Sequence, residues 1–294
     1  MKWIATPIHL AVFGIAVFSL AVISALLWII TGDADWTITF FRYPVAWFLV
    51  FTCAVQLRLS YSVWKGFESD EPLELAWFLL TMAATVRLIG TSISQLGRPI
   101  IEQNRWLDPI VVRDMGIVLS SPLMFLLLGS GLAIVLKVYR QLGLLRTLGK
   151  IDYLLIGLSV FFCLHQAKEV IDWLPDLKRR FNVFAMLNWA SDPLLSLLLV
   201  ESIILWRAGR HLAGGYIGHC YGAFAMAVVL TSLGNVGIWL EAWGYLAWPE
   251  RAVVWYIWIP AATCFAVAPA YMMQAIRSAL RYAPRQAHIL TTGL

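Results

Sequence analysis

Charge is what this chain has least of. Only 13% of its 294 residues are Asp, Glu, Lys or Arg, against 61% hydrophobic residues and a mean hydropathy of +0.76. A soluble domain carries about a quarter charged residues, so most of this surface must face lipid. Cysteine is scarce too. Cys53, Cys163, Cys220 and Cys264 form no CxxC pair and each falls in an apolar run, which argues against a zinc site or a disulfide framework. They read as small apolar fillers. Catalytic signatures are missing as well: there is no GxSxG, no HExxH, no P-loop and no GxGxxG leading a helix. No motif names a reaction, and the expectation is a non-enzymatic protein.

What the sequence has in abundance is apolar length. Eight stretches run Leu10 to Ile30, Thr37 to Leu59, Leu73 to Leu96, Met115 to Val138, Tyr153 to Leu174, Trp189 to Arg207, Ile217 to Trp243 and Ala252 to Ala279. Each holds about 19 to 28 residues, against the roughly 20 that cross about 30 Å of hydrocarbon. The expected fold is an all-α integral membrane protein with about eight transmembrane helices. The first stretch exceeds the roughly 7 to 15 residues of a signal h-region and is preceded by little charge, so it reads as an uncleaved span.

The even-numbered spans share a plan: a proline near the start, an apolar body, and Lys or Arg at the far end. Pro122 leads to Lys137 and Arg140, Pro193 to Arg207 and Arg210, Pro260 to Arg277, and Pro44 more loosely to Arg58 and Lys65. The prolines recur about every 70 residues, which points to tandem repetition of a two-helix unit. The hairpins so defined cover approximately 1–66, 67–150, 151–214 and 215–288, a single polytopic membrane domain with no soluble domain. Between spans, 175–188 and 97–114 read as interfacial segments, since each mixes apolar residues with charges. Most of the 15 tryptophans fall near span ends, where indoles anchor at head-group level.

Lys and Arg also set the orientation. Lys2, Arg58, Lys65, Lys137, Arg140, Arg146, Lys150, Arg207, Arg210, Arg277, Arg281 and Arg285 collect on one side, against Arg42, Arg98, Arg105, Arg113, Lys178, Arg179, Arg180 and Arg251 on the other. The first side is expected to be cytoplasmic, with both termini there and the chain in a cell membrane such as the bacterial inner membrane. The net charge of +5 fits contact with anionic lipid and offers no nucleic-acid patch.

Ionisable groups inside spans are costly and turn inward, toward a bundle interior or a cavity. Arg87 lies in span three. In span five His165, Lys168, Glu169 and Asp172 stand at i, i+3, i+4 and i+7, on one helical face. Asp192 and Glu201 lie in span six and Asn235 in span seven. Counting residues along each helix places Arg87, His165, Glu201 and Asn235 in one broad layer, where Arg87 and Glu201 would form a buried ion pair. Such a cluster either fixes helix register or lines a cavity for a cation, a proton path or a polar head group. On either account Glu201→Gln is expected to harm the protein.

Three functions are open on these residues. The first is a non-enzymatic membrane subunit or scaffold of a larger complex, such as a sensing input module, with membrane lipid and other membrane subunits as partners. The second is a small ion-coupled transporter using the buried polar site. The third is a redox or pigment-binding subunit ligated by His165. His165 lies mid-span whereas His9, His211 and His219 lie toward the cytoplasmic face, so no pair is level and a bis-histidine haem is disfavoured, while a pigment or haem with one axial ligand at His165 stays open. No metal and no other cofactor is expected.

Overall fold

The computed structural model describes residues 6–97, 109–145, 150, 191–210, 212, 215–242, 244–247 and 250–292, with isolated positions between 153 and 187. Every regular element among the described residues is helical. Helix α1 is Pro7–Thr31; Thr6 caps it by accepting from the His9 backbone N–H at 3.3 Å, and Gly32 stops it in the left-handed region at φ 72°. Helix α2 is Asp35–Trp64 and α3 is Pro72–Leu96. Helix α4 covers 109–141, α5 is Ser191–Gly209, α6 is Tyr216–Ala242, α7 is the short Glu250–Trp255 and α8 is Trp258–Thr292.

Six helices are long and apolar enough to cross a membrane: Pro7–Thr31, Asp35–Trp64, Pro72–Leu96, Met115–Gln141, Tyr216–Gly237 and Ala252–Ala279. They make the chain a helical, multi-pass membrane protein. Of the two remaining expected spans, the sixth does form a helix, α5. It carries Asp192, Glu201 and Arg207 within 19 residues, which makes it more polar than the six. The fifth, with His165, Lys168, Glu169 and Asp172, lies outside the described residues, as does the segment 175–188.

The prolines act in two ways. Pro44 and Pro122 each occupy the fourth position of a five-residue π-helical turn, Phe41–Val45 in α2 and Leu119–Leu123 in α4. A proline inside a helix has no N–H to donate and its ring presses on the preceding turn, so a locally widened turn absorbs it. Pro193 and Pro260 are the third residues of α5 and α8, in the first turn, where no intrahelical N–H is lost. The last span is interrupted at the turn Tyr256–Ile257, ahead of Pro260, and Pro269 is buried within continuous helix.

Side-chain pairs give the helix directions. Trp64 Nε1 donates to Glu74 Oε1 at 2.8 Å and Arg87 reaches back to Gln56, so α2 and α3 are antiparallel. Gly131 of α4 lies against Ala76 and Leu80, and Gly116 against Gly90, so α4 opposes α3. Gly222 meets Trp206 while Asn235 meets Asp192, so α5 opposes α6. Helix α6 opposes α8, with Gly234 against Trp258, Phe224 edge-on to Phe265 and His219 against Tyr271. Helices α2, α4, α5 and α8 therefore all point one way, and Arg58, Lys65, Lys137, Arg140, Arg207, Arg210 and Arg277 gather toward one end of the bundle.

Neighbour packs on neighbour around a closed circuit, α2 to α3, α4, α5, α6, α8 and back to α2. Large buried side chains fill its centre, among them Trp77, Phe125, Leu128, Leu198, Leu205, Tyr221, Phe224 and Phe265. Burial of this kind is not driven by water in a membrane, so close shape fit and dispersion hold the ring together. Glycines permit that fit. Gly131 lies so close to α3 that an added Cβ would stand 3.0 Å from the Ala76 carbonyl oxygen, and one on Gly234 would stand 2.8 Å from the Trp258 ring. Helix α1 lies outside the ring, packed on α8 and the start of α2.

Candidate polar sites within the bundle

The expected single layer of polar groups resolves into separate sites. The first joins α2, α3 and α8. Arg87 is 9% exposed, its Nη1 donates to Gln56 Oε1 at 2.6 Å, and its guanidinium lies 4.4 Å from the centroid of the Phe265 ring. Helix α8 is not a ring neighbour of α3, so Arg87 points across the interior. The face of an aromatic ring carries negative quadrupole density, which attracts the cation there. Beside this contact Cys53 Sγ lies 3.7 Å from Thr91 Oγ1, linking the same two helices one turn further along.

The second site joins α5 and α6. Asn235 Nδ2 donates to Asp192 Oδ1 at 2.6 Å, a hydrogen bond strengthened by the carboxylate's charge. Among the described residues of the expected cluster, Asp192 and Asn235 are the pair brought together.

Glu201 forms the third. Its Oε2 is buried against α4, where a Cβ on Gly129 would lie 3.5 Å away, and it makes no hydrogen bond. The adjacent Ser202 Oγ is likewise buried without a partner. Arg87 and Glu201 do not pair. Glu201 is level with Gly129, and the neighbouring Gly131 is level with Ala76 and Leu80 on α3. Arg87 is seven residues beyond Leu80, about 10 Å further along the helix axis. Counting from helix ends misses this because it assumes that every helix begins at the same height.

A fourth polar site ties α1 to the ring. Ser24 Oγ and the Tyr256 hydroxyl are 2.8 Å apart, the Tyr256 hydroxyl donates to the Thr37 carbonyl at 3.1 Å, and Thr37 Oγ1 donates to the Ser24 carbonyl at 3.1 Å. Sequence reasoning passed over Gln56, Thr37 and Tyr256, because neutral polar residues inside an apolar run carry no charge to mark them. Gln56 had one signal available: it lies in a span adjacent to the one bearing Arg87.

No group of three or more potential metal ligands occurs among the described residues. No protein-family model matches the chain, and no curated protein or solved structure matches it.

Proposed function

We propose that this chain is a non-catalytic integral membrane subunit or scaffold of a larger membrane assembly. The observation that carries the reading is the ring's interior, packed with aromatic and aliphatic side chains, while Arg87, Asp192 and Asn235 are spent on helix-to-helix contacts. Side chains used in this way set helix register. A rigid, filled bundle is suited to holding partners in place.

Eight crossings built as four hairpins remain our reading of the topology. In its support, α4 and α5 point the same way, so the chain leaves α4 at the basic end and enters α5 at the other, which calls for one further crossing between them. The pairs α1 with α2, α3 with α4, and α6 with α8 each pack antiparallel, and the matched π-turns at Pro44 and Pro122 fit repetition of the first two hairpins. The gathering of Lys and Arg at one end supports cytoplasmic termini in an inner membrane.

Purification from native membrane in mild detergent, with mass spectrometry and a visible spectrum on the same peak, tests the reading. Stoichiometric partner chains are expected; a colourless particle free of partners would falsify it. A coloured peak would favour the pigment reading at His165, whose residue lies outside the described set. One observation favours ion-coupled transport as a second reading: the partnerless Glu201 carboxylate oxygen. Well-folded Glu201→Gln protein that had lost a transport activity would support it.

A further inference from the structure

The seam between α4 and α5 is open on the outside of the bundle. On α4, Leu126, Gly129 and Ala133 follow at i, i+3 and i+7, along one helical face. On α5, Leu197 and Glu201 stand one turn apart. Leu126 is 52% exposed, Leu197 is 51% exposed and Ala133 is exposed too, so both rims of the seam face outward. Half-buried Gly129 and Glu201 form its floor, where Glu201 Oε2 turns in against Gly129. Glu201 is ten residues past Ser191, about 15 Å along α5 and close to its middle.

The chemistry of the seam selects what fits it. Gly129 and Ala133, four residues apart, take away side-chain bulk and let the backbone of another helix approach closely. A carboxyl at the rim of a lipid-facing seam gains nothing from hydrocarbon, which offers neither donor nor counter-charge. A basic side chain on an incoming helix supplies both. A second copy docked about a two-fold axis would instead set Glu201 against Glu201, which repels.

We propose that the α4–α5 seam docks one transmembrane helix of a partner subunit, and that this helix carries a Lys or Arg near its midpoint that pairs with Glu201. Such docking rests on the chain being a subunit of a larger assembly, and adds where the partner is held and by what chemistry.

The test is photocrosslinking of the full chain in native membranes, with Ala133→p-benzoylphenylalanine as the probe and the same probe at Met226, 53% exposed on α6, as control. Mass spectrometry of the digested adduct identifies what was joined. The expected adduct is with a different chain, inside an apolar stretch long enough to cross the membrane that bears Lys or Arg, and it is absent from the Met226 probe. Glu201→Gln should lower its yield about tenfold, the loss of one polar contact between membrane helices. Adducts with lipid alone, with a second copy, or with a stretch lacking both Lys and Arg each overturn the proposal. So do an adduct at the mass of the single chain that joins Ala133 to residues 151–190, equal joining at Met226, and a yield unchanged in Glu201→Gln. If Glu201→Gln does not fold, the identity of the wild-type adduct decides alone. Partner chains in the purified peak with none joined at Ala133 defeat this site and spare the subunit reading, whereas a peak without partners defeats both.

Discussion

Gly90 and Gly116 face each other where α3 crosses α4, so closely that a Cβ on Gly90 would stand 2.5 Å from the Gly116 carbonyl oxygen and from the Ser120 backbone nitrogen. The crossing is backbone on backbone and takes in the first residues of the π-turn Leu119–Leu123. Gly90→Ala must push the helices apart, since neither obstructing atom belongs to a movable side chain. The expected cost is about 1–3 kcal/mol, as for other overpacked sites. Thermal melts in detergent check this, with Gly129→Ala as control: its Cβ would meet Glu201 Oε2 at an ordinary 3.5 Å, and its Tm should move little.

Glu201→Gln is expected to leave the protein folded, as it would not if Glu201 formed the buried ion pair with Arg87 expected from sequence. Among the described residues no cation is paired with this carboxylate, so removing its charge strands nothing there and lifts a burial cost. Ser202→Ala removes a hydroxyl that is buried with no partner, which should be neutral or stabilising by up to about 1 kcal/mol. Melting temperatures at or above wild type for both variants agree with the structure. A collapse of folded yield in Glu201→Gln would mean that a partner for the carboxylate exists.

Asn235→Asp sets a second carboxylate against Asp192, across the contact that is 2.6 Å long in the wild type. When both are charged they repel, and the folded state then binds protons more readily than the unfolded chain. Stability should therefore fall as pH rises. The variant is expected to melt lower at pH 8 than at pH 5, with a larger difference than wild type shows over the same interval. A flat comparison would mean the two groups separate freely.

Tyr256→Phe removes the hydroxyl that reaches both Ser24 and the Thr37 carbonyl. Losing a buried hydrogen-bonding group costs about 1–2 kcal/mol, and here the loss falls on the attachment of α1. Hydrogen exchange should rise in 24–40 while α6 and the rest of α8 stay protected. A uniform rise through the whole protein would argue instead that α1 and the ring unfold as one.

Six crossing helices were legible in the sequence, because apolar length is a local property that lipid reads directly. The gathering of Arg58, Lys65, Arg140 and Arg210 toward one end was legible for the same reason. What stayed hidden was relational. Nothing in 72–96 alone says that Arg87 passes over Leu80's level by about two turns and lands on Phe265, since that depends on how α3, α4 and α8 are offset. The prolines announced irregularity without its form: Pro44 and Pro122 made π-turns, whereas Pro260 entered a regular first turn. Gly90 and Gly116 carried no pattern within either helix, being complementary only across the crossing. Gly131, Gly234 and Gly237 likewise press on a neighbouring helix or the turn beside it, which no pattern within their own helices reveals.

The ring closes between α2, among the first helices made, and α8, the last described helix in the chain. During biosynthesis Arg87 therefore enters the bilayer long before the aromatic face of Phe265 arrives. Until then Gln56, already inserted one helix earlier, is the one of its two described partners in place to shield it. The third helix must be retained, by the insertion machinery or by lipid head groups drawn inward, through the translation of well over a hundred residues between Arg87 and Phe265. Ribosome-bound chains stopped before α8 should be the stage most prone to slip this helix back out of the membrane.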